Sequence, residues 1–251
     1  MERSIDILSV RGLLWLAFFS LILLGWWLIY AMAAGQAGWL CGPDGVLLLP
    51  YLGFPQVLAM WVIMMLAMML PTIIPMLTTY DRLPATNSVG WAGIVLGYGA
   101  VWLVGSVGFA LAQVALMQLG LLDIAGQSAT RWMTVALLLV AGAWQMTRGK
   151  EICQEACLTP MAFFMSRYRA GFDGGLRMGV EIGLVCVGCC WAIMALAFVG
   201  GMTSLLWMGL ATAFMVAEKL PEIGHHLRKP AGGALIGAAI WVAVSGGPFV
   251  F

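Results

Sequence analysis

Seven apolar runs dominate the chain, at residues 12–34, 54–79, 89–118, 132–148, 178–200, 204–220 and 232–249. Most approach or exceed the roughly 20 residues that a helix rising about 1.5 Å per residue needs to cross about 30 Å of hydrocarbon. In lipid every backbone amide must be paired internally, which leaves helices or a closed barrel. The runs lack the apolar and polar alternation over about ten residues that marks barrel strands. The expected fold is therefore all-α, a polytopic membrane helix bundle of seven spans forming one transmembrane domain over residues 1–251. Hydrophobic residues make up 63% of the chain and charged ones 9%, a balance foreign to soluble domains. The fourth and sixth runs are short and the third is long. The first is too long and bulky for a secretory signal and is expected to remain as a span.

Basic residues near span ends stay on the cytoplasmic side. With the N-terminus inside, the inner segments hold Arg3, Arg11, Arg82, Arg148, Lys150, Arg167, Arg169, Arg177, Lys219, Arg228 and Lys229, and the outer ones only Arg131. That asymmetry sets a cytoplasmic N-terminus, puts the cysteine-containing loop at about 148–177 in the cytoplasm, and assigns the chain to the inner (plasma) membrane as a multi-pass protein. The net charge of +1 offers no field for nucleic acid. The lipid bilayer is the expected surrounding.

The second run contains AMWVIMMLAMMLPTIIPM. On a continuous helix, Met65, Met68, Met69 and Met76 recur at three-, four- and seven-residue steps and share a face. Thioethers are soft, uncharged donors suited to Cu(I). They also fill apolar gaps well, so packing is the alternative. Pro71 and Pro75 each remove a backbone donor and are expected to kink this span.

The fifth run carries VCVGCCW, in which Cys186, Cys189 and Cys190 can face one side of one helical turn. Three thiols there can hold one metal ion, or can act as small apolar residues at a contact eased by Gly188. Counted from the inner charge Arg177, these cysteines lie about 14–20 Å deep, and counted from the outer end of the second span, Met65 to Met69 lie about 16–22 Å in. Two soft-donor groups on different spans thus share a level. A second pair, Cys153 and Cys157 in EICQEACLTP, stands one turn apart in the inner loop, while Cys41 stands alone. Ionisable residues within spans are costly and tend to be functional. Glu181 and Glu218 are weaker candidates on that ground, as are the adjacent His225 and His226 of the inner loop after Pro221.

The run AMWVIMMLAMMLPTIIPM, the segment CQEACLTP and the block GLVCVGCCWAIMALAFVGGMTSLLWM followed by EKL together resemble a bacterial family of predicted metal-binding integral membrane proteins, some labelled copper chaperones. The resemblance covers residues 59–220 in matching order and implies copper as the bound metal. It departs at Ile182, where the family carries a His four residues before the first thiol. Glu181 is no substitute, because one residue turns a helix by about 100°. The departure points to a sulfur-only site, which tilts the metal toward Cu(I), with another soft metal served by the same donors.

Three functions are expected on these grounds. The first is handling of Cu(I) as chaperone, transfer or insertion protein, through the intramembrane Met and Cys groups, with Cys153 and Cys157 as an inner exchange point and a membrane or copper-delivery protein as partner. The second is membrane thiol–disulfide exchange, for which Cys186 and Cys189 form a CxxC. The third is a structural or assembly subunit, for which Gly93 and Gly97 supply a GxxxG contact. Phosphate-binding loops, HExxH and a Ser/His/Asp order are missing from the sequence.

Overall fold

The computed structural model describes residues 10–35, 54–84, 86–123, 126–202 and 204–245. Cys41 lies outside them. Apart from one isolated bridge between Leu122 and Ser128, the regular structure of the described residues is helical. In chain order the helices are α1 (Val10–Ala33), α2 (Phe54–Met69), α3 (Ile74–Arg82), α4 (Ser88–Gln118), α5 (Arg131–Met146), α6 (Arg148–Leu158), α7 (Pro160–Arg167), α8 (Gly171–Ala195), α9 (Ala197–Gly200), α10 (Leu205–Ala217) and α11 (Gly224–Ser245).

Five stretches are long and apolar enough to cross a membrane: Val10–Ala33, Phe54–Arg82, Ser88–Gln118, Gly171–Gly200 and Gly224–Ser245. The two remaining expected spans are α5, with 16 residues, and α10, with 13. At about 1.5 Å per residue they reach only about 24 and 20 Å, short of the hydrocarbon thickness. The last long helix starts at Gly224, so His225 and His226 lie in its first turn rather than in a loop. Likewise α6 and α7 occupy much of the 148–177 connection.

The tightest pairing joins α4 and α8, and glycine makes it possible. A Cβ at Gly97 would strike the Leu176 carbonyl, and one at Gly179 would strike the Ile94 carbonyl. Gly93 and Gly175 meet the facing backbone in the same way. Small residues at three- and four-residue steps let two helix backbones close to contact, where dispersion stabilises the pair. The Gly93 and Gly97 pair is thus used within the chain. Gly142 of α5 and Gly232 of α11 form a second such approach.

Helix α1 buries Phe18, Ile22, Gly25 and Ile29, one helical face, with Gly25 against Ala67 of α2. Its Leu13, Leu16, Leu23 and Trp27 are exposed, as expected of side chains facing lipid. At its N-terminal end Arg11 Nη1 lies 2.5 Å from Asp81 Oδ1, and Trp15 Nε1 donates to Asp81 Oδ2 at 2.8 Å.

The proline pair of the second span does more than bend it. Residues Leu70–Ile73 form a 3₁₀ turn with Pro71 near its start, and α3 restarts with Pro75 in its first turn. Four residues wound at 3.0 rather than 3.6 per turn rotate α3 relative to α2 by about 80°. Met76 therefore stands beyond a break in the continuous helix on which the four-residue stripe is drawn. The same turn swings Thr72 into the protein, where it is 3% exposed.

Candidate metal centre

Helix α8 presents Cys186, Cys189 and Cys190 from one turn, and their Sγ atoms all lie within 4.8 Å of one another. All three residues are buried. Cys189 Sγ and Cys190 Sγ are 3.3 Å apart, and the Cys189 thiol donates to the Cys186 carbonyl at 3.2 Å. Metal–sulfur bonds of about 2.3 Å hold two sulfurs on one ion about 3.8–4.6 Å apart, a spacing that the triplet reaches with side-chain adjustments of a few tenths of an ångström. The triplet is gathered closely enough to share one soft ion, and the donor set fits Cu(I). Among the described residues it is the group of three His, Cys, Asp or Glu side chains that meets this spacing.

Three elements converge on Cys186. Lys219, just beyond α10, donates from Nζ to Cys186 Sγ at 2.8 Å. The Tyr98 hydroxyl of α4 lies 3.1 Å from that sulfur, and Thr72 Oγ1 of the 3₁₀ turn lies 3.7 Å away. Lys219 Nζ also donates to Thr72 Oγ1 at 3.0 Å. Thr72 and Tyr98 both donate to the Met69 carbonyl, at 2.8 and 2.9 Å. A backbone acceptor at the proline break is thereby satisfied within the fold.

Directly beside the thiols lies a buried ion pair. Lys150 Nζ is 2.8 Å from Glu218 Oε2 and donates to the Cys189 carbonyl at 2.6 Å. Gln145 Nε2 donates to the other Glu218 oxygen at 3.0 Å, and Gln154 Nε2 donates to the Glu218 and Gly224 carbonyls, both at 2.9 Å. Lys150 and Lys219 count as surface charges when orientation is read from the sequence. Both are buried in the fold, because each has a counter-charge or acceptor that the sequence does not display.

The second cysteine pair comes up against the same cluster. Helix α6 packs along α8, which brings the buried Cys157 side chain beside that of Cys189. Cys153 Sγ seats against Gly188, where an added Cβ would fall 2.8 Å from the sulfur. Glycine in CVGCC is what admits that thiol. Burial pushes the Cys153 thiol above its ordinary range, with the Lys150 charge pulling the other way. All five described cysteines are free thiols.

The other expected residues differ in their relation to the thiols. Met65, Met68, Met69 and Met76 are buried, but the second span touches Cys186 through Thr72. Glu218 belongs to the buried pair beside the thiols. Glu181 pairs instead with Arg167 at 3.0 Å near the surface. His225 and His226 line a cavity of about 390 Å³ with Glu151, Glu155, Arg228 and Lys229. Reading the sequence misses Thr72, Tyr98, Lys219, Lys150, Gln145 and Gln154. A lysine adjoining an apolar run, as in AEKL, and a lone tyrosine inside a glycine-rich one were the available signals.

Against known proteins, no curated protein and no solved structure matches the chain. A family model does match, over residues 58–242, and its description is PpoB2, copper chaperone. The match takes in the proline break, the glycine pair, the thiol cluster and both buried lysines. With most of its length covered by that model, the chain belongs to the PpoB2 copper chaperone family.

Proposed function

We propose that the protein is a polytopic membrane copper chaperone that carries Cu(I) as cargo at the site formed by Cys186, Cys189 and Cys190. The observation that carries this is the gathering of three buried thiols on one turn, in a member of a family described as copper chaperones. Thiolates are soft donors that select Cu(I) over hard ions. Within a bundle they also shield the bound ion from water. The single domain sits in the inner membrane with its N-terminus in the cytoplasm, and Met65, Met68, Met69 and Met76 contribute further soft sulfur around the site.

Cys157 beside Cys189, and the half-buried Cys153 beside Gly188, extend the sulfur series toward the inner face. Ligand exchange from Cys153 through Cys157 to Cys189 would move the ion without leaving it uncoordinated. A membrane or copper-delivery protein is the expected partner at either end of that route.

The test is the copper content of protein purified in detergent, for the parent chain and for the triple variant Cys186→Ser, Cys189→Ser, Cys190→Ser. Copper is expected in the first and lost from the second; equal content in both would sink the proposal. Thiol trapping during turnover separates it from disulfide exchange, which would leave oxidised pairs.

A further inference from the structure

Lys219 is fully surrounded by protein, 3% exposed, and its Nζ partners are Thr72 Oγ1 and Cys186 Sγ. A buried ammonium requires compensating charge nearby. The neighbouring carboxylate, Glu218, pairs with Lys150 instead, at 2.8 Å. The thiol triplet is therefore the anionic partner of Lys219, and the site carries a fixed cation of its own before any metal enters.

We propose that Lys219 determines specificity at the thiol site, by making a singly charged soft ion the one whose two-thiolate complex leaves the buried cluster neutral. This rests on the triplet being the metal site. Lys219 and Lys150 bring two positive charges and Glu218 one negative, a fixed charge of +1. A monovalent ion held by two thiolates, the thiolate beside Lys219 and a second thiol that gives up its proton, adds −1 while the third thiol stays protonated, which closes the balance. A divalent ion held by two thiolates adds nothing and strands a positive charge in a low-dielectric interior, where such a charge is costly. To reach neutrality it must ionise and take all three thiols, one more buried deprotonation than the monovalent ion requires. Thr72 and Tyr98 hold Lys219 and Cys186 in register from two other elements.

The experiment uses Ag(I) and Cd(II), which are both thiophilic and inert to redox change but differ in charge. Purified protein in detergent is challenged with an equimolar mixture, and bound metal is measured for the parent chain, Lys219→Met, Lys219→Arg and the triple Ser variant. The parent is expected to favour Ag(I). Lys219→Met, whose fixed charge is zero, is expected to lose that preference by about tenfold or more, and Lys219→Arg to keep it. An unchanged ratio in a folded Lys219→Met that still binds metal overturns the role of Lys219 alone. Equal uptake by the triple Ser variant overturns the site itself. The parent chain gives an independent readout if Lys219→Met does not fold: Ag(I) is expected to leave one of the three cluster thiols open to alkylation in denaturant, and Cd(II) none. Protection of all three by both ions would overturn the proposal.

Discussion

Lys150 Nζ and Glu218 Oε2, 68 residues apart in the chain, meet at 2.8 Å with side chains only 1% and 3% exposed. Each charge has further hydrogen bonds, from Gln145 to Glu218 and from Lys150 to the Cys189 carbonyl. The pair ties α6 and the segment after α10 to the thiol-bearing turn of α8.

Removing one member strands the other, so Lys150→Met or Glu218→Leu alone should destabilise the folded protein by about 3–5 kcal/mol. The double variant should recover much of that loss, because no lone charge remains. Unfolding in detergent, followed by circular dichroism, reads the difference. Additive losses in the double variant would mean that the two residues do not act as a pair.

The glycine contact between α4 and α8 predicts a contrast between two similar changes. Gly179→Ala places a Cβ against the Ile94 backbone, which has no room to yield, and should cost about 1–3 kcal/mol through overpacking. Gly99→Ala, with open space at the Cβ position, should be neutral or stabilise by up to about 1 kcal/mol through helix propensity. Thermal unfolding of both variants checks the contrast.

Cys153 should react with an aqueous maleimide before Cys157 or the cluster thiols, since it is half-buried and they are buried. It should still react more slowly than a free cysteine, because burial raises its pKa and the thiolate is the reacting form. Gly188→Ala should displace Cys153 outward and speed its labelling. Mass spectrometry of timed digests resolves each site, and an unchanged Cys153 rate in Gly188→Ala would contradict the seating described.

Tyr98→Phe removes a hydroxyl that serves both Met69 O and Cys186 Sγ. The expected loss is about 0.5–1.5 kcal/mol, the range for one hydrogen bond, since Thr72 and Lys219 still serve those two atoms. Thr72→Val should act in the same direction through Met69 O and Lys219. Stability without metal is the measurement, and parent-like values for both would remove these hydroxyls from the support of the site.

Much of the site was legible in local spacing. Cys186, Cys189 and Cys190 had to share a face because a helix repeats every 3.6 residues. Met76 shows where that logic stops: its place in the stripe presumed an unbroken helix, and the 3₁₀ turn at Leu70–Ile73 interrupts it. Lys150 and Lys219 show a second limit. The positive-inside rule reads lysine as a surface charge, whereas a buried counter-charge supplied by another helix reverses its place.

The sequence by itself determined the helical class, the apolar runs, the thiol turn and the proline break, since these depend on neighbours within one or two turns. Only the tertiary structure decided which runs attain spanning length, that the Gly93 and Gly97 pair serves α8, and that Cys153 and Cys157 lie beside the thiol-bearing turn. It also decided that Lys219 meets Cys186. These outcomes depend on the distance between side chains far apart in the chain, and on burial making each unpaired charge too costly to leave alone.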